Sequence, residues 1–193
     1  MGVYELSGAG SVKTGRTLYT SMNAGNQYGA MVPIASASES TFGGFTNIPS
    51  TYQDLYVVGS ILSDATRTAT SLWLRLNGDS ASNYSNTQLD GNGSTASSSR
   101  ASNNTIVGLN FSLVSGNPGV FEMWILNYAN TSTFKTVLIR SANDNNGSGV
   151  ASLNVGLYRS TAAINAINLL YPGGNSQTAN TTATLYGIRA VSS

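Results

Sequence analysis

Ser71-Leu72-Trp73-Leu74-Arg75-Leu76-Asn77 places a leucine at every second position, with Trp73, Arg75 and Asn77 in the alternate phase. Successive side chains leave a β-strand on opposite sides, so this period of two marks a strand with one face in a core. Leu72, Leu74 and Leu76 are expected inside, and Trp73, Arg75 and Asn77 outside. The pattern recurs along the chain. Val107, Leu109, Phe111 and Leu113 are separated by Gly108, Asn110 and Ser112. Phe121, Met123 and Ile125 alternate with Glu122 and Trp124, and Val137 and Ile139 with Thr136, Leu138 and Arg140. Leu153, Val155 and Leu157 alternate with Ser152, Asn154 and Gly156. The run 55–62 is apolar on both faces, as in a strand buried within a sandwich. Residues 164–171 and 181–191 complete the series as further strands.

Turn chemistry separates these runs. Asn77-Gly78-Asp79, Asp90-Gly91-Asn92-Gly93, Gly116-Asn117-Pro118-Gly119, the stretch 143–149 and Pro172-Gly173-Gly174-Asn175 supply positive-φ positions or pre-set bends. No helical stripe longer than a turn or two interrupts them. Eight or nine short strands of this kind predict an all-β chain, an antiparallel β-sandwich or a jelly roll, over residues 38–193. Ser94 to Asn104 is polar throughout and reads as a long surface loop. Residues 1–37 carry isolated apolar residues without a sustained period and read as an extended N-terminal arm. Tyr4, Leu6, Leu18 and Tyr19 are its candidate anchors. The opening residues lack a basic stretch followed by an apolar run, so no secretory signal is expected.

Composition narrows the chemistry. The 193 residues include no histidine and no cysteine, only 9% are charged, and nearly half are Ser, Thr, Asn and Gly. Without imidazole or thiolate, the common proton shuttles, sulfur nucleophiles and zinc ligands are missing. Lys13 stands in no Ser-x-x-Lys spacing, whereas Lys135 follows Ser132 at that spacing in Ser132-Thr133-Phe134-Lys135. Asp79 and Asp90 are the best available carboxylate pair for glycoside hydrolysis, but Asp beside Gly and Asn is an ordinary turn former. No enzymatic activity and no cofactor are expected. Calcium is the metal that such oxygen donors suit, and Asp90-Gly91-Asn92-Gly93-Ser94 and Asp144-Asn145-Asn146-Gly147-Ser148 are the runs to consider. Neither carries the closing bidentate Glu of an EF-hand loop, and β-turns account for both, so no metal site is expected. A net charge of +1 with scattered basic residues argues against a nucleic-acid footprint, and no apolar run has the length of a membrane span. Trp73 and Trp124 fall on outward phases, where aromatics serve a subunit interface or a glycan-stacking platform.

Five blocks in order resemble structural proteins of tailed bacteriophages, particularly those of cyanobacteria and marine bacteria. They are Thr41-Phe42-Gly43-Gly44-Phe45-Thr46-Asn47-Ile48-Pro49-Ser50-Thr51-Tyr52-Gln53-Asp54-Leu55; Leu74-Arg75-Leu76-Asn77-Gly78-Asp79 with Asn83-Tyr84-Ser85; and Asn127-Tyr128-Ala129-Asn130-Thr131 running into Phe134-Lys135-Thr136-Val137. The closing blocks are 159–167 and Ala183-Thr184-Leu185-Tyr186-Gly187-Ile188. The resemblance covers about residues 38–190. It implies a jelly-roll-like module of a capsid decoration (cement) protein, homotrimeric, located on the virion and bound to the major capsid protein. The alternative it implies is a tail-fibre, collar or receptor-binding module that contacts a host surface glycan. It carries over no catalytic residue.

Overall fold

The computed structural model describes residues 30–38, 43–63, 70–171 and 181–190. Among them lie twelve strands. The first six are β1 (Met31–Ser38), β2 (Gly44–Phe45), β3 (Asp54–Ile61), β4 (Thr70–Leu76), β5 (Tyr84–Gly91) and β6 (Ala96–Asn104). The others are β7 (Val107–Phe111), β8 (Gly119–Ile125), β9 (Lys135–Asp144), β10 (Gly149–Tyr158), β11 (Ile167–Leu170) and β12 (Thr182–Ile188). They form an eight-stranded sheet, β1-β12-β3-β8-β9-β10-β5-β6, and a four-stranded sheet, β2-β11-β4-β7, with every pairing antiparallel. The chain is an all-β sandwich, as the alternation predicts.

Leu72, Leu74 and Leu76 on β4 face Leu55 and Val57 on β3 and Met123 and Ile125 on β8 across a closed core. All seven are essentially inaccessible to water. Burying a side chain of this size contributes about 1.5–3 kcal/mol, so this layer carries much of the stability. The hairpins β5–β6 and β9–β10 widen only the larger sheet. The second is closed by Asn146 and Gly147 at φ 62° and 97°, with the Asn145 N–H donating to the Ser148 carbonyl at 2.5 Å. Two successive positive φ angles give the turn twist that matches a right-handed hairpin, and Asn-Gly is the pair that adopts it most readily.

Four expectations need correction. The sheet begins at Met31, whose strand pairs with β12, so the boundary after residue 37 cuts through β1 and the described end of the arm belongs to the sandwich. The loop expected over 94–104 is β6, paired with β5 from Ala96↔Gly91 to Asn104↔Tyr84. It forms an edge strand held by backbone bonds and mostly exposed on both faces, so it needs no apolar phase. The strand expected over 164–171 is only Ile167–Leu170. The residues before it follow the Asn77 side chain instead, which accepts from the Asn165 and Ala166 N–H groups at 2.8 and 3.2 Å.

The fourth correction concerns β10. Its alternation is real, but Ser152, Asn154 and Gly156 face inward while Leu153 and Val155 are 38% and 42% exposed. The cause is β7, the edge strand of the smaller sheet. Its free carbonyls meet inward side chains of the larger sheet: Asn154 Nδ2 donates to the Gly108 carbonyl at 2.7 Å and Ser141 Oγ to the Asn110 carbonyl at 2.9 Å. Just beyond β7, Asn143 accepts from the Ser112 N–H at 2.8 Å and donates to its carbonyl at 2.6 Å. Leucine at these positions would strand buried carbonyls at about 1–3 kcal/mol each. Gly156 belongs to the same seam, since a Cβ there would sit 2.8 Å from Val107.

Candidate functional site

Inverting β10 moves apolar side chains to the outside of the eight-stranded sheet, where the registers line them up. One cross-strand row runs Tyr186–Tyr56–Trp124–Leu138–Val155. The next runs Val58–Glu122–Arg140–Leu153–Leu89, and a third Val120–Ala142–Ala151–Gly91–Ala96. Leu89 and Val120 are more than half exposed (55% and 53%), and Val58 and Leu138 over a third. The surface between β3 and β6 is hollowed into an open groove of about 670 Å³, lined by Val58, Leu89, Val120, Glu122, Arg140 and Leu153. A contiguous apolar face of this kind is a candidate association or ligand surface.

The two outward-phase charges in it are paired with each other. Arg140 Nε lies 2.5 Å from Glu122 Oε1, and the Tyr56 hydroxyl donates to Glu122 Oε2 at 2.6 Å. Burial, then the bond to Glu122, pushes the Tyr56 phenol up to about 12. Arg140 is largely in solvent, so the ion pair adds only about 0–1 kcal/mol to stability. Its effect is to pair Glu122 with Arg140 on the outward phase of the sheet. The Tyr56 and Trp124 ring centroids are 4.5 Å apart and tilted, with Tyr186 6.2 Å from Tyr56 on the other side.

The two tryptophans are not brought together. Trp124 belongs to this aromatic row. Trp73 is on the opposite outer face, on β4, cross-strand from Leu170 and Gly108. Both are half-buried. Tyr4, Leu6, Leu18 and Tyr19 lie outside the described residues.

Asp79 and Asp90 are not assembled as a pair either. Asp79 is a turn anchor, accepting from Asn83 Nδ2 and the Ala81 N–H at 2.8 Å and from the Tyr158 hydroxyl at 3.0 Å. These bonds, Asn83's first, hold its carboxyl below the usual carboxylate range. Tyr84, which also donates to the Asp79 carbonyl, starts the strand that carries Asp90 near its far end. At about 3.3 Å per residue that is roughly 20 Å, beyond the ~9.5 Å limit of a glycosidase pair. In the two glycine- and asparagine-rich runs, Asn92 Oδ1 accepts from the Ser94 and Thr95 N–H groups, and Asp144 Oδ1 from that of Gly147. These are side-chain-closed turns. No three His, Cys, Asp or Glu side chains converge among the described residues, and no helix there is long and apolar enough to cross a membrane.

The residues that sequence reasoning missed are the aliphatic ones: Val58, Leu89, Val120, Leu153 and Val155. The signal for them was present in the alternation, since an apolar phase opposite a polar one reads equally well with either side inward. No protein-family model matches the chain, and no curated protein does. Among solved structures, a protein of unknown function from Shewanella oneidensis MR-1 is similar at 11% identity and a TM-score of 0.27, over 86% of this chain and 78% of that one. A likeness at that level carries no argument about function.

Proposed function

We propose that this is a non-enzymatic virion structural protein of a tailed bacteriophage, a capsid decoration or cement protein. It docks through the outer face of its eight-stranded sheet. The observation that carries the reading is the charge-balanced apolar face around Val120, Leu153 and Trp124, which suits association with another protein surface. The strand order fits as well. With the hairpins β5–β6 and β9–β10 set aside, the remaining eight strands pair as β1-β12-β3-β8 and β2-β11-β4-β7. We read this as a jelly roll with two inserted hairpins, the form implied by the resemblance to phage structural proteins. In this reading the protein is a homotrimer on the capsid, its partner is the major capsid protein, and residues 1–29 clamp a neighbouring subunit. Many weak contacts of this sort on one particle gain strength by effective concentration.

The Tyr186–Tyr56–Trp124 row favours a second reading, a tail-fibre, collar or receptor-binding module that stacks a host glycan on its rings. Gold-labelled antibody on intact particles separates the two. Label spread over the head supports decoration, label at the tail supports the fibre, and no label on any particle defeats both. Deleting residues 1–29, which spares β1, is expected to leave the sandwich folded and abolish particle binding. Retained binding removes the clamp.

A further inference from the structure

Asp90 on β5 and Ser152 on β10 are direct cross-strand partners, and Gln88 and Asn154 are the next pair on the same inward face. Their hydrogen bonds run in one direction. Gln88 Nε2 donates to Asp90 Oδ2 at 2.6 Å. Asn154 Nδ2 donates to Gln88 Oε1 at 3.1 Å and to the Gly108 carbonyl of β7 at 2.7 Å. A carboxylate only accepts, so Asp90 orients the Gln88 amide and Gln88 orients the Asn154 amide. Three oxygens are then left without a hydrogen-bond partner although buried: Asp90 Oδ1, Asn154 Oδ1 and Ser152 Oγ. Asn154 is 2% and Ser152 8% exposed. Two of these atoms only accept. The serine hydroxyl has a single proton, so it satisfies at most one of them.

We propose that this cell of the β5/β10 ladder is a binding site for a hard cation, best suited to Ca²⁺. Carboxylate, amide and hydroxyl oxygens are the donors that calcium takes, with water completing the shell. Two neighbouring backbone carbonyls already have donors: Gly108 from Asn154, and Asn110 from Ser141. One carboxylate among neutral oxygens gives a weak site, with a Kd on the order of 10⁻⁴–10⁻³ M. Asp90 is half-buried, so the site is not sealed from solvent. Bound there, it ties the β5–β6 hairpin, which extends past the smaller sheet, to β10 beside β7.

The test is a thermal melt of the full chain in EGTA against about 5 mM CaCl₂, with equal ionic strength of NaCl and of MgCl₂ as controls, beside calorimetric Ca²⁺ titration. At about tenfold over Kd the melting point is expected to rise by roughly 3–5 °C with Ca²⁺ and by less with the controls. Asp90→Asn supplies an N–H donor in place of the charge. It is expected to melt in EGTA no lower than the unmodified chain and to lose the Ca²⁺ response. Ser152→Ala keeps the carboxylate and is expected to weaken the response, so the test stands if Asp90→Asn does not fold. An unmodified chain with no calcium shift and no titration heat overturns the proposal. So does an equal shift in magnesium or sodium, or a response that survives Asp90→Asn.

Discussion

Across the outer face of the eight-stranded sheet lie Tyr56, Val58, Val120, Trp124, Leu138, Leu153 and Val155. Across the outer face of the four-stranded sheet lie Trp73, Arg75, Gly108, Asn110, Asn168 and Leu170. The second set is dressed for water: Arg75 Nε donates to the Thr105 carbonyl at 3.3 Å, and Asn168 Oδ1 accepts from the Gly78 N–H at 3.0 Å. The first set exposes branched aliphatics around one neutralised ion pair. Both faces are the outward phase of the same two-residue period. The difference teaches that outward in a strand means away from this sandwich's core, which is not the same as polar. On the larger sheet the outward phase is largely apolar, as the proposed docking role requires.

Substitutions break that comparison in graded ways. The largest effect is expected from Leu74→Asp, which buries a carboxylate in the core. The cost is on the order of a domain's whole stability, about 5–15 kcal/mol, so circular dichroism should find no cooperative melt. The same change outside, Leu153→Asp, should leave the melt intact. A folded Leu74→Asp protein would mean that inner and outer phases are wrongly assigned on β4. Next comes Asn154→Leu, which tests why β10 is inverted. It removes the donor to the Gly108 carbonyl and should cost about 1–3 kcal/mol in urea denaturation, despite adding apolar bulk to a buried position. A gain in stability would refute the edge-strand explanation.

The doubly charged face Val120→Asp/Leu153→Asp should weaken self-association or particle binding at least tenfold, about 1.4 kcal/mol, as read by sedimentation. Trp73→Ser on the other face should leave binding where it was. If Trp73→Ser is the damaging change, the smaller sheet is the docking surface.

The smallest effect is on pH dependence. Burial raises the phenol pKa of Tyr84, Tyr128, Tyr158 and Tyr171, and burial with the Glu122 bond raises that of Tyr56 to about 12. Above pH ~10 the unfolded chain therefore loses protons that the folded chain keeps. The stability these groups contribute is full below pH ~10 and falls as pH rises through the folded values. Buried Lys135 works in the opposite direction: desolvation lowers its pKa, so its share of stability grows with pH up to its unfolded value near 10.5. Five phenols outnumber one amine, and the urea midpoint should drop between pH 10 and 12. Tyr56→Phe isolates the part owed to the outer face and should flatten the drop slightly; an unchanged slope would place all of it in the core.

How much of this was legible depends on the residue. Leu72, Leu74, Leu76, Leu109, Met123 and Ile139 are buried where the alternation puts them, because each faces an apolar partner across the sandwich. β6 was not legible, since Ser97, Ser98 and Ser99 are exposed and pair through backbone groups that every residue carries. The inner position of Asn154 was not legible either. It answers to a carbonyl on Gly108, 46 residues away in the chain.

By itself the sequence determined that the chain is all-β, where most turns fall, and that alternate residues share a face. Those properties follow from backbone geometry and local sterics, which act between neighbours. Which phase of β10 faces inward, which strands extend the larger sheet, and that Val58, Val120 and Leu153 come to share one groove were decided only by tertiary structure. A period of two has no sign. The sign comes from whatever stands across the sheet, and for β10 that is the unpaired edge of β7.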